Sequence, residues 1–194
     1  MSAVAPLHSR VLRDLLEDHE LIRRYLRLLE RAVAADVVAH ADADLLERLR
    51  RFVEDFIDAV HHVKEDVIFF HEVVARHVAP ESRLQETLDE HEVGFLHADG
   101  MRMAILDRRP GWRTAYAWNA MGLVRTIRHH LEREESDLFP AFDAAIGVSF
   151  DEIVTAQIER KLGDVDVARK ESRDELIDLA RILRIEEERE GEER

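Results

Sequence analysis

LEDHE at positions 16–20 and HHVKEDVIFF at 61–70 return later in the chain as LDEHE at 88–92 and HHLEREESDLFP at 129–140. His91 lies 72 residues after His19, and His130 lies 69 residues after His61. Two copies of one helical hairpin, joined by short turns, predict an all-α protein. Its expected core is an up-down-up-down four-helix bundle with pseudo-twofold symmetry.

Working outward, the first helix spans about residues 9–34, where Val11, Leu12, Leu15, Leu16, Ile22, Leu26 and Leu29 follow the helical period. The polar stretch 36–44 makes a turn, and a second helix runs over about 44–78. Pro80 blocks its continuation, and Ser82 with Gln85 fits a capping box opening a third helix that ends near Arg109. A fourth covers about 112–146, with a bend or break expected at Pro140. Ser149 and Glu152 fit a second capping box for a shorter helix ending at Gly163, and a last helix over about 165–188 runs into an acidic tail. The reading is a bundle over residues 1–148 and a C-terminal helical extension over 149–194.

Composition narrows the chemistry. The 194 residues carry 28 Lys and Arg against 42 Asp and Glu, a net charge of −14. Such a chain is a poor partner for nucleic-acid phosphates and is repelled by anionic membranes. Cysteine is absent, which removes disulfides, thiol nucleophiles, thiolate zinc sites and iron–sulfur clusters. No stretch of 18 apolar residues spans a bilayer and no secretory signal opens the chain, so a cytoplasmic location is expected. Eleven histidines in this acidic background leave imidazole and carboxylate as the ligand set for a transition metal.

Helical geometry selects among those histidines. His19, His91 and His130 sit in the apolar stripes of their helices, while His61 lies at the border of its buried face. A regular period puts the seam of the second helix on Val53, Phe56, Val60, Val63, Val67 and Phe70, which turns His62 further away; His129 also points outward. His61 with Glu65, and His130 with Glu134, are four residues apart and share a face. Glu134 falls on an apolar stripe with no nearby Lys or Arg, so a carboxylate there needs another source of positive charge. At about 1.5 Å per residue, His19, His91, Glu65 and Glu134 all lie roughly 14–20 Å into the bundle from one end, and His61 and His130 lie one turn deeper. One such histidine is ordinarily a core residue; four at one level with two glutamates point to metal. The ferritin-like Glu-x-x-His pattern is missing, and HEVVA (71–75) and HEVGF (91–95) lack the second His of a zinc protease. His8, His40, His77 and His97 read as surface or loop residues.

These residues resemble the hemerythrin-like, or HHE cation-binding, family over about residues 9–146. The matching motifs are His19-Glu20, His61-x-x-x-Glu65-Asp66, His91-Glu92 and His130-x-x-x-Glu134-Glu135 followed by Leu138-Phe139-Pro140. The resemblance implies two iron ions, Fe(II) or Fe(III), with an oxo or hydroxo bridge. His19 and His61 would serve one ion, His91 and His130 the other, and Glu65 and Glu134 would bridge them. The oxygen-carrying members place a further His four residues after the third-helix ligand, where this chain has Phe95, and an Asp where it has Glu135. Six protein ligands would leave an exchangeable position on each metal. That favours binding or reaction of O2, NO or H2O2, including peroxide- or NO-related redox turnover, over oxygen carriage; iron sensing or handling without turnover is the alternative. Glu20, Glu92, Asp66 and Glu135 adjoin ligands and offer alternate or outer contacts. Apolar neighbours such as Leu15, Ile22, Ile57, Phe95, Ile127 and Leu131 would wall the site. In the extension, Leu176, Leu179, Ala180, Leu183 and Ile185 form an apolar strip that could pack in cis, close the bundle end or form a homodimer.

Overall fold

The computed structural model describes residues 7–185. Every regular element among them is helical. Helix α1 is Arg10–Ala34, with Ser9 as its cap, accepting from the Leu12 amide at 3.2 Å. After a single helical turn, Val37–His40, helix α2 covers 43–75, opened by Asp42 accepting from the Leu45 amide at 2.7 Å. Helix α3 is Gln85–Asp107 and α4 covers 112–143. Helices α5 (Val148–Leu162) and α6 (Val165–Leu183) form the C-terminal hairpin. Gly163 joins them at φ 71° and ψ −136°, a conformation that a Cβ would strain. No helix among the described residues is long and apolar enough to cross a membrane.

Two local expectations are corrected. Neither Ser82 nor Ser149 caps a helix: a 3-10 turn at Glu81–Arg83 precedes α3, and α5 starts at Val148 on the backbone of Gly147. Pro140 does not end α4: the helix passes from the underwound stretch Glu134–Leu138 directly into Phe139–Asp143.

The larger departure lies inside α2. Residues Val53–Phe70 are bonded as a π-helix, and Glu134–Leu138 of α4 repeat this over a shorter span. Underwinding lengthens the turn, so buried positions recur nearly every four residues: Phe56 and Ile57, Val60 and His61, Lys64 and Glu65, Ile68 and Phe69. The seam expected from a regular period therefore fails at Val63 and Val67, while Val53, Phe56, Val60 and Phe70 are buried as expected. Val67 is 49% exposed and Val63 only half-buried, whereas His61, expected at the border, is fully inside.

The apolar interior divides into two cores. One contains Ile22, Leu26, Phe56, Leu123 and Ile127; the other contains Leu15, Ile68, Phe69, Leu138 and Phe142. Between them all four long helices contribute polar side chains at one level. The hairpin α5–α6 packs against α1 and α2. Leu176, Leu179, Ala180 and Leu183 enter the first core and Phe150, Val154 and Ile158 the second, so the apolar strip of the extension is buried in cis.

Candidate metal centre

The polar layer holds six buried side chains: His19 from α1, His61 and Glu65 from α2, His91 from α3, and His130 and Glu134 from α4. The histidines form two pairs. His91 and His130 bring their Nε2 atoms to 3.1 Å, and the rings of His19 and His61 meet edge to face at 5.0 Å. Each glutamate reaches one member of both pairs. Glu65 Oε2 lies 3.6 Å from His61 Nε2 and 3.5 Å from His91 Nε2. Glu134 Oε2 lies 3.4 Å from His19 Nε2 and 3.2 Å from His130 Nε2. Ligand atoms of His61, Glu65, His130 and Glu134 all fall within 4.8 Å of one another.

A ring of carboxylates stands behind the imidazoles, one on each Nδ1. Glu135 is 2.8 Å from His19, Asp66 is 3.0 Å from His91, Glu90 is 3.3 Å from His130 and Asp18 is 3.4 Å from His61. The contacts on His19, His91 and His130 are hydrogen bonds, and such partners fix ring orientation and raise the basicity of Nε2, while Asp18 faces His61 as an ion contact. Cations hold most of this ring. Arg23 pairs with Glu135 at 2.5 Å and Arg133 with Glu90 at 2.7 Å. The fully buried Lys64 pairs with Asp18 and, at 2.7 Å, with Asp14. Arg169 of α6 joins them, donating to Asp18 at 2.7 Å and to Asp14 at 2.6 Å.

The sequence repeat reappears in this ring. Asp18 and Glu90 occupy equivalent places, as do Lys64 and Arg133, and Asp66 and Glu135. Sequence reading singled out Asp66 and Glu135 but missed Asp18, Glu90 and the cations, although the repeat carried the signal. Arg169 has no counterpart in the repeat. Glu20 and Glu92 face solvent. His8, His40 and His77 are exposed as expected, while His97 is half-buried against Asn119 and Trp118. Phe95 does not wall the site: it is 57% exposed, because α3 turns small residues, Gly94 and Ala98, towards its neighbours. Gly94 is tight, since a Cβ there would meet Ile127 Cδ1 at 3.0 Å.

Burial and charge drive the site groups apart. Burial pulls the His61 and His91 imidazoles down to about 3, so both are neutral and ready to coordinate. Burial also opposes a charged His130, but Glu134 and Glu90 raise it to about 9. Glu65 is pushed well above the usual carboxylate range by burial and by Glu134. Glu134 resists the same burial because His130 and His19 hold it well below that range.

The donor set fits divalent metal. Both oxygens of Glu65 and of Glu134, with Nε2 of His19 and of His61, are buried without a hydrogen-bond partner. Orphaned buried polar atoms cost about 1–3 kcal/mol each, and here they converge on shared space. Imidazole and carboxylate are the ligands that iron, manganese and zinc accept.

Fold and site together define a helical-bundle protein with a cation-binding centre of histidines and glutamates. A family model, the hemerythrin HHE cation binding domain, matches residues 10–142, and the chain belongs to that family. No curated protein and no solved structure matches it.

Proposed function

We propose that this chain is a non-haem di-iron protein that binds or reacts with O2, NO or H2O2. His19 and His61 would hold one ion, His91 and His130 the other, and Glu65 and Glu134 would bridge them. One observation carries this reading: two fully buried carboxylates, with no Lys or Arg hydrogen-bonded to them, each lie within 3.6 Å of a histidine from both pairs. When bound, the iron pair supplies redox electrons and open coordination for a small oxidant.

The protein's own groups do the rest. Glu135, Asp18, Asp66 and Glu90 hold the four rings with Nε2 inward. The apolar cores on either side limit water and exclude large organic substrates. The six inner side chains are buried, at most 7% exposed, which suits diatomics and peroxide as the substrate class.

The test adds O2, NO and H2O2 in turn to anaerobic, iron-loaded protein, with absorbance and gas evolution recorded. A reversible spectral change with O2 or NO marks a binder or sensor, and sustained O2 release from peroxide marks an enzyme. Iron-loaded protein that is silent to all three would overturn the proposal and leave iron handling.

A further inference from the structure

A fifth histidine carries the signature of the other four. His62 follows His61, and in a regular helix adjacent side chains diverge by about 100°. The underwound stretch of α2 instead leaves both beside the site. Nδ1 of His62 lies 3.0 Å from Asp58 Oδ1, the same backing by a carboxylate that the four inner rings receive. Its Nε2 is buried and has no hydrogen-bond partner. The ring stacks on His91 at 3.9 Å and 24°, and stands edge-on to His130 at 6.4 Å. Ligand atoms of His61, His62 and His130 fall within 4.8 Å of one another.

The repeat shows what a merely structural residue would be. The position equivalent to His62, one after His130, is Leu131, which is buried and apolar. A leucine at 62 would avoid the orphaned nitrogen, whose burial costs about 1–3 kcal/mol. The pseudo-twofold site is therefore asymmetric in one donor, and that donor lies against the pair His91 and His130.

Resting on the di-iron reading above, we propose that His62 is a seventh protein ligand, through Nε2, to the metal pair, beside His61 and His130. The two metals are then inequivalent. One exchangeable position is then filled by His62, and a small molecule is left the other.

Wild type, His62→Leu and His62→Phe are loaded with Fe(II) without oxygen, the phenylalanine variant keeping the stack on His91 without a nitrogen. Iron per chain is measured by elemental analysis, imidazole scattering by X-ray absorption at the iron edge, and azide stoichiometry by titration of the oxidised form. The expected result is two irons per chain in all three proteins. Imidazole count per iron pair should fall from five to four in both variants, and bound azide should rise from one to two. Four imidazoles in wild type, with azide binding unchanged in the variants, would overturn the role of His62 and leave the di-iron reading intact. Wild type that fails to hold two irons would overturn both.

Discussion

Replacing Arg169 by Met tests whether the C-terminal hairpin belongs to the metal centre or merely covers it. The guanidinium is 7% exposed and contacts Asp18, which is fully buried and backs His61. Removing one partner of a buried ion pair costs about 3–5 kcal/mol. Lys64 stays on both Asp18 and Asp14, which places the expected loss at the lower end, about 3 kcal/mol. For a chain of this size that lowers Tm by roughly 6–12 °C. Metal affinity falls separately: carboxylates that orient ligands contribute 10–100-fold, and Arg169 stands one step further out, so about tenfold is expected. Tenfold weaker binding removes about 1.4 kcal/mol of ligand-linked stability, so the metal-loaded protein should lose that much more than the metal-free one. Denaturant titrations of both forms measure the difference. Arg169→Lys should recover only part of it, because an ammonium cannot reproduce the fork that reaches Asp18 and Asp14 together. A loss below 1 kcal/mol, or equal losses with and without metal, would refute the link from α6 through Asp18 to His61.

Two further predictions concern the site itself. His130→Ala and Glu134→Ala should abolish stoichiometric metal binding, whereas His129→Ala, at a side chain 67% exposed, should retain it; equal metal content in the three variants by elemental analysis would contradict the register. Metal uptake should release protons at pH 7, because His130, raised to about 9 by Glu134 and Glu90 against burial, must give up its proton to coordinate. Apparent affinity should then climb with pH through the neutral range, as Glu65 and His19, both raised by their surroundings, give up protons alongside His130, with no contribution from His61 or His91 at about 3; calorimetry in buffers of different ionisation enthalpy counts the protons.

The four-helix plan and the six inner residues were legible because both rest on periodicity: two copies of one hairpin put like groups at like depth, and helical spacing put them on one face. Where the period itself changes, helical spacing no longer tells which face a residue occupies. Underwinding of α2 moved Val67 out, His61 fully in and His62 to the rim of the site, and no residue in HHVKEDVIFF announces that change of pitch. Phe95 misled for another reason. A large apolar residue near a ligand suggests a wall, but α3 approaches its neighbours through Gly94 and Ala98, which leaves Phe95 outside. The extension is held by contacts far apart in the chain, its apolar residues in both cores and Arg169 on Asp18, 151 residues away, which no local pattern encodes.

The charges in the polar layer are divided unevenly, and this leads to a prediction about Glu65. Outer carboxylates are compensated by Lys64, Arg23, Arg133 and Arg169, while Glu65 and Glu134 hydrogen-bond to none of them. Without metal the inner pair must share what positive charge the histidines provide. Glu134 takes it, through His130 and His19, and Glu65 is left to hold a proton. A carboxyl whose pKa rises on folding costs stability as pH climbs above its unfolded value of about 4.3, because the unfolded chain ionises freely and the folded one does not. That cost stops growing only above the folded pKa. Glu65→Gln imitates the protonated side chain, including a donor towards Glu134, and carries no such cost. The metal-free variant should therefore unfold at a higher temperature than metal-free wild type, by a margin that widens with pH above about 4.3, while it loses the bridging carboxylate and with it stoichiometric metal. Thermal melts across pH, set beside Glu65→Ala, decide the matter. If Glu65→Gln melts as low as Glu65→Ala at every pH, Glu65 is not kept protonated by its surroundings, and the claim that this layer is poised to exchange a proton for a metal ion fails.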